Sequence, residues 1–227
     1  MTGAAFFDLD RTLLVGASGP VLSEAMRKVG LRGERAIPGE ELVFQVFNVL
    51  GETRPSMLLT RQAARFAKGW AQDKAKQVGH VAADELADAV PAQARALIAE
   101  HQAEGRKVVL ATTTPYDYIA PFAERLGLDD VIATRYGVDG DGNYDGSFDG
   151  EFVWGPGKLA SVEAWAAANG VALGESYAYS DSYYDLPLLG AVGHPTAVNP
   201  DPRLRVAATL RRWPVRHFDV PAGRRAA

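Results

Sequence analysis

Ala4-Ala5-Phe6-Phe7 is an unbroken apolar run. Without alternation, such a run predicts a short strand buried on both faces, the kind found in parallel sheets. The next such run is Lys107-Val108-Val109-Leu110-Ala111. Between the two, apolar residues recur at helical spacing. Val21, Leu22, Ala25, Met26 and Val29 mark a helix over 20–29. Further helices are predicted over 40–50, from Pro55 to about Trp70, and over 73–89. Pro91 opens another and Gly105 closes it.

Beyond the second strand the pattern alternates. A helix is predicted over 117–126, a strand over 130–134, a helix over 158–168 and a strand over 176–179. The stretch GVDGDGNYDGSFDG at 137–150 predicts a β-hairpin with Asp-Gly turns. Strands alternating with helices indicate an α/β fold, a doubly wound, Rossmann-like parallel sheet with helices on both faces. Residues 1–15 and 89–227 are assigned to this core, and 16–88 to a small all-helical cap inserted into it. The final 27 residues carry seven arginines and two acids and read as a solvated basic tail.

Composition narrows the classes. The chain has 227 residues, 47% of them hydrophobic, enough for a sizeable core. A net charge of −4 argues against nucleic acid or an anionic membrane as the main partner. With no cysteine, disulfide and thiolate chemistry are excluded. Asp8 and Asp10 interrupt the first apolar run, so it does not read as a signal peptide, and no apolar run is long enough to span a membrane. A cytoplasmic location is expected; the oligomeric state is not legible.

The candidate chemistry lies at strand ends, where open parallel sheets bind ligands. Asp8 and Asp10 follow the first strand, Thr112-Thr113-Thr114 the second, and Asp181 and Asp185 the strand at 176–179; Lys158 starts a helix. Residues two apart in a strand point the same way, so both first acids can face one site. Three or four carboxylates around one point favour a hard cation such as Mg²⁺. Hydroxyls, backbone N–H groups and an ammonium suit a phosphoryl group. Together they predict a metal-bound phosphate site with a carboxylate nucleophile.

This set resembles that of the haloacid dehalogenase superfamily phosphatases, in the branch that includes phosphoserine phosphatases. DLDRTL at 8–13 matches the first motif, VVLATTT at 108–114 the second, Lys158 in GPGKLASVEAW the third and SDSYYDLPLL at 180–189 the fourth. Any one motif is weak; four in order are specific. The helical insertion between the first and second motifs also resembles that branch. The resemblance implies that Asp8 attacks phosphorus and that Asp10 protonates the leaving oxygen and then activates water. It implies that Asp8, Asp10 (through its carbonyl) and Asp181 hold Mg²⁺. Thr112, Thr113 and Lys158 are the implied phosphate ligands, Asp185 orients Lys158 or a metal-bound water, and Thr12 braces the loop.

The expected function is a Mg²⁺-dependent phosphomonoesterase acting on a small phosphate ester. The alternatives are another superfamily hydrolase or phosphotransferase, or an idle phosphate-binding module. The cap selects substrate; Glu24, Phe44, Phe47, Arg54, Arg61, Arg65 and Trp70 are its candidates, and Glu24 stands later than the acid a phosphoserine phosphatase typically carries. Glycerol-type or lysophospholipid phosphates are further candidates. The DGDGNYDG run at 139–146 lacks the glycine and glutamate of a calcium loop, and GPGK lacks the earlier glycine and the following Ser/Thr of a nucleotide loop.

Overall fold

The computed structural model describes residues 2–31 and 54–218. Strand β1 (Ala4–Phe7) lies near the middle of a six-stranded sheet with β2 (Lys107–Pro115), β3 (Asp130–Thr134), β6 (Tyr177–Ser180), β7 (His194–Val198) and β8 (Val215–Arg216). The order is β3-β2-β1-β6-β7-β8, and every pairing is parallel. β4 (Tyr136–Val138) and β5 (Tyr144–Phe148) form the separate antiparallel hairpin. Among the described residues the helices are α1 (Gly19–Lys28), α2 (Arg54–Phe66), α3 (Gln72–Asp88), α4 (Ala92–Ala103), α5 (Tyr116–Arg125), α6 (Pro156–Asn169), α7 (Leu186–Ala191) and α8 (Pro202–Arg211). The helix expected over 40–50, with Phe44 and Phe47, and the side chain of Arg54 lie outside the described residues.

The apolar runs work as expected. Phe6 and Phe7 are both fully buried but on opposite faces of the sheet. Phe7 packs with Leu86, Leu97, Leu110 and Phe122 beneath α3, α4 and α5. Phe6 packs with Val109, Val162, Leu189 and Leu204 beneath α6, α7 and α8. Each face therefore has its own apolar layer, which is why β1 shows no polar alternation.

The C-terminal reading needs correcting. Residues 201–218 are not a solvated tail. Asp201 caps α8 by accepting from the backbone N–H groups of Arg203 and Leu204 at 2.8 Å. Leu204 and Ala208 are fully buried, β8 extends the sheet, and Phe218 is buried. The arginines hid the pattern because they occupy the outer face of α8 while two small or branched apolar residues four apart hold the inner one.

The topology fixes the site. From β1 the chain reaches β2 on one side, while β6 lies on the other, so the strand order reverses at β1. That is the switch point at which the carboxyl ends of neighbouring strands open a crevice. Register places Phe7 beside both Leu110 and Tyr179. Asp8, Thr112 and Asp181 therefore emerge at the same edge.

Candidate active site

Asp8 leaves β1 with its N–H bonded to the Tyr179 carbonyl at 3.0 Å. The chain then makes one tight turn over Leu9–Leu13, in which Leu13 N–H reaches back to the Asp8 carbonyl at 3.3 Å and Leu14 N–H to that of Leu9 at 2.9 Å. Arg11 within the turn is left-handed, with φ +60° and ψ +4°. Its N–H donates to the Gly16 carbonyl at 3.0 Å, and its carbonyl accepts from Asn199 Nδ2 at 3.0 Å. Two contacts thus hold a conformation that a non-glycine residue disfavours.

Lys158 is the electrostatic centre. It lies in the first turn of α6 and is fully buried. Its Nζ donates to Asp8 Oδ1 at 2.8 Å and to Asp185 Oδ2 at 2.7 Å. Ser180 Oγ donates to the same Asp185 oxygen at 2.7 Å. A buried ammonium is tolerated only when paired in this way. Asp181 is 8% exposed at its side chain, and its Oδ2 lies 3.1 Å from Arg11 Nε.

Asp10 turns its side chain toward the start of α1, where Oδ1 accepts the Ser18 N–H at 2.6 Å. Burial raises its pKa from the ordinary 3.8; the Ser18 hydrogen bonds and then Lys158 and Arg11 oppose that rise without cancelling it. A carboxyl whose pKa is raised holds its proton more readily than a free one, which suits it to proton transfer. Thr112 is buried, and its Oγ1 accepts from Thr114 N–H at 3.2 Å. Thr113 uses its hydroxyl proton on the Val153 carbonyl at 2.8 Å, which braces the segment leading to Lys158.

Three buried side-chain atoms among the described residues lack a hydrogen-bond partner: Arg11 Nη1, Thr12 Oγ1 and Asp185 Oδ1. All three belong to this site. Unsatisfied buried polar atoms concentrate where a ligand completes the network.

The carboxylates of the site are engaged with separate partners. Among the described residues no three acids or histidines are grouped to hold a metal. Lys158 joins Asp8 to Asp185, Asp10 turns to Ser18, and Arg11 takes one oxygen of Asp181. The hard oxygens of the site that could hold a divalent cation are the carboxylates of Asp8 and Asp181 with the Asp10 carbonyl. A carboxylate offers about four lone-pair sites, more than one cation uses, and few protein ligands suit Mg²⁺, which keeps several waters.

Arg11, Ser18, Ser180 and Asn199 escaped the sequence reading. Arg11 carried a signal, a basic residue in an otherwise acidic and apolar motif. The others are ordinary polar residues brought in by tertiary structure. In the described part of the segment between β1 and β2, Glu24 pairs with Arg27, and Arg61 and Arg65 are exposed.

Residues 5–190 match the family model described as haloacid dehalogenase-like hydrolase. A Mycobacterium tuberculosis protein named a probable phosphatase is 36% identical over 230 residues, covering 98% of this chain and 77% of that protein. A phosphoserine phosphatase of the same organism is 35% identical, covering 97% of this chain and 72% of that protein. A solved Bordetella pertussis protein of unknown function aligns with TM-score 0.71 at 31% identity, covering 96% of this chain and 99% of that one. A phosphoserine phosphatase solved as a phospho-aspartyl intermediate analogue shares the fold, with TM-score 0.64 at 21% identity over 97% of this chain and 95% of that one.

Proposed function

The chain belongs to the haloacid dehalogenase-like hydrolase family, and we propose that it is a Mg²⁺-dependent phosphomonoesterase that cleaves a small phosphate ester through an aspartyl-phosphate on Asp8. The observation that carries this reading is the buried Lys158 bridge between Asp8 and Asp185. It places a cation against Asp8 Oδ1 at 2.8 Å. Nothing in the fold requires a lysine at that depth.

The chemistry divides among the chain's own groups. Asp8, held by Lys158 at Oδ1, is assigned as the nucleophile. It forms a bond to phosphorus as the P–O bond to the alcohol breaks. Asp10, its pKa raised by burial, gives its proton to the departing oxygen. In the second half, the ionised Asp10 accepts a proton from water as that water displaces Asp8 from phosphorus. The Lys158 ammonium and donors around Thr112 and Thr113 meet the equatorial phosphoryl oxygens, where charge must be offset. Asp8, Asp181 and the Asp10 carbonyl would hold the cation, which supplies electrostatic shielding of the phosphoryl charge. Asp185 aims Lys158 through its 2.7 Å contact. Thr12, fully buried, braces the turn.

Substrate choice is assigned to the helical segment between β1 and β2. The small-ester reading draws on the relatives named phosphatase and phosphoserine phosphatase. Among the described residues no helix is long and apolar enough to cross a membrane; a cytoplasmic setting is part of this proposal.

The test is phosphate release from phosphoserine, glycerol phosphates, lysophosphatidate and an aryl phosphate, with and without Mg²⁺. Turnover is expected to require Mg²⁺ and to fall by about 10³-fold or more in Asp8→Asn, as for loss of a nucleophile. Asp10→Asn should retain more activity on the aryl phosphate, whose leaving group needs no proton, than on an alkyl ester. Undiminished activity in Asp8→Asn would overturn the mechanism.

A further inference from the structure

The proposed chemistry gives Arg11 no role, yet its position is costly and its side chain is at the centre of the site. Glycine takes φ +60° without penalty and asparagine nearly so; arginine does not. The backbone there is fixed by the Gly16 carbonyl and Asn199. The turn itself would be served better by another residue, so the reason for arginine must lie in its side chain.

That side chain reaches Asp181, with Nε at 3.1 Å from Oδ2. We propose that Arg11 is a tethered counter-ion that competes with the divalent cation for Asp181 and thereby lowers the enzyme's metal affinity. The inference rests on the reading of Asp181 as a metal ligand.

Three observations carry it. First, a donor to a metal-binding carboxylate ordinarily supports the ligand, but a guanidinium carries a full positive charge that repels the incoming cation and cannot be lost by deprotonation. Second, charges already come near to balance without a metal. The carboxylates of Asp8, Asp181 and Asp185 face the cations of Lys158 and Arg11. Without Arg11 the same carboxylates would hold only one ammonium and attract a divalent cation more strongly. Third, Arg11 is not fully satisfied where it stands. Nη1 is buried without a partner, while the side chain as a whole is 20% exposed. A guanidinium with an unmet buried donor and a route to solvent is poised to give way. Once displaced, its charge remains beside the crevice, where a phosphoryl anion arrives.

The test uses Mn²⁺ as probe, titrated into the metal-free full chain and read by the electron paramagnetic resonance signal of the free ion. Wild type, Arg11→Asn, Arg11→Lys and Asp181→Asn are compared. Arg11→Asn should bind Mn²⁺ more tightly by about twofold to fivefold, the scale of a partly exposed ion pair. Arg11→Lys should stay near wild type, because charge rather than shape is the cause. In thermal melts Arg11→Asn should gain more from added Mg²⁺ than wild type does. Should Arg11→Asn fold poorly, Arg11→Gly suits the same backbone and carries the same expectation. Equal or weaker Mn²⁺ binding by the neutral variants would overturn the inference and make Arg11 a plain support for Asp181. If wild type and Asp181→Asn bind Mn²⁺ alike, Asp181 is not a ligand, and both this inference and the metal site beneath it fail.

Discussion

Lys158 shows how one residue can serve stability and chemistry together. Removing it leaves Asp8 and Asp185 facing each other without their common cation, and Asp185 is fully buried. Lys158→Met should therefore destabilise by about 3–5 kcal/mol, the cost of breaking a buried pair from one side. Adding Asp185→Asn should recover part of that in urea unfolding while activity stays lost; full additivity of the two changes would show that they do not share one network. His101 is another buried ionisable group, outside the four motifs. Arg106 can only donate, so Nδ1 at 3.1 Å accepts, and Nε2–H donates to the Tyr179 hydroxyl at 2.8 Å. Burial first, then Arg106, lowers the His101 pKa below 6.5. The unfolded chain therefore binds a proton that the folded chain refuses, and stability falls as pH drops from about 6.5 toward the lowered value. His101→Gln should flatten that part of the stability–pH curve; an unchanged slope would assign the loss to other groups. Asp8, Asp10, Lys158, Asp181 and Asp185 were legible because each sits in a local motif. Ser18, Asn199 and His101 were not, because their partners are chosen by tertiary contact and no neighbouring residue announces them.

At the scale of elements, α3 and α5 pack at a distance set by Gly79. A Cβ built there would lie 2.7 Å from the Asp117 carbonyl oxygen and 3.0 Å from two ring carbons of Pro121. Glycine inside a helix costs about 1 kcal/mol relative to alanine, so Gly79→Ala would help an isolated α3. Here the added methyl meets a backbone oxygen that cannot rotate away, and overpacking costs about 1–3 kcal/mol. The clash should win, and the urea midpoint of Gly79→Ala should fall; a rise would mean that the helices separate without cost. The strands of the inner sheet were readable because burial on both faces leaves unbroken apolar runs. β2 runs on through Pro115, beyond its apolar stretch, because β3 supplies a partner across a bulge between Thr112 and Pro115. β8, two exposed residues long, carries no pattern of its own and exists only because β7 offers an edge. Its position also depends on Asn199, which bonds Arg11 on one side and Phe218 N–H at 3.0 Å on the other.

Across the whole molecule, the helices inserted after β1 are joined to the core by a clasp that no local pattern announces. The hairpin, read in the sequence as a turn-rich excursion, reaches the link between α2 and α3. Gly69 N–H donates to the Tyr144 carbonyl at 2.8 Å, Tyr144 N–H to the Trp70 carbonyl at 2.9 Å, and Gln72 N–H to the Gly142 carbonyl at 3.0 Å. The Tyr144 hydroxyl then continues inward to Asp117 Oδ2 at 2.7 Å, where Gln72 Nε2 also donates at 3.2 Å. Backbone pairing and a charge-assisted hydrogen bond thus tie the inserted segment, the hairpin and the start of α5 into one unit. Tyr144→Phe tests this. It removes one hydrogen bond to a carboxylate, worth about 1.5–3 kcal/mol, without changing the ring's packing against Tyr136. Amide hydrogen exchange at Gly69, Gln72 and Tyr144 should accelerate together by about tenfold or more, since about 1.4 kcal/mol is a factor of ten. Exchange at β1 amides should rise only through any loss of global stability. If the three clasp amides exchange independently, or no faster in the variant, the clasp is not a cooperative unit and the inserted helices are held by the α3–α5 packing alone.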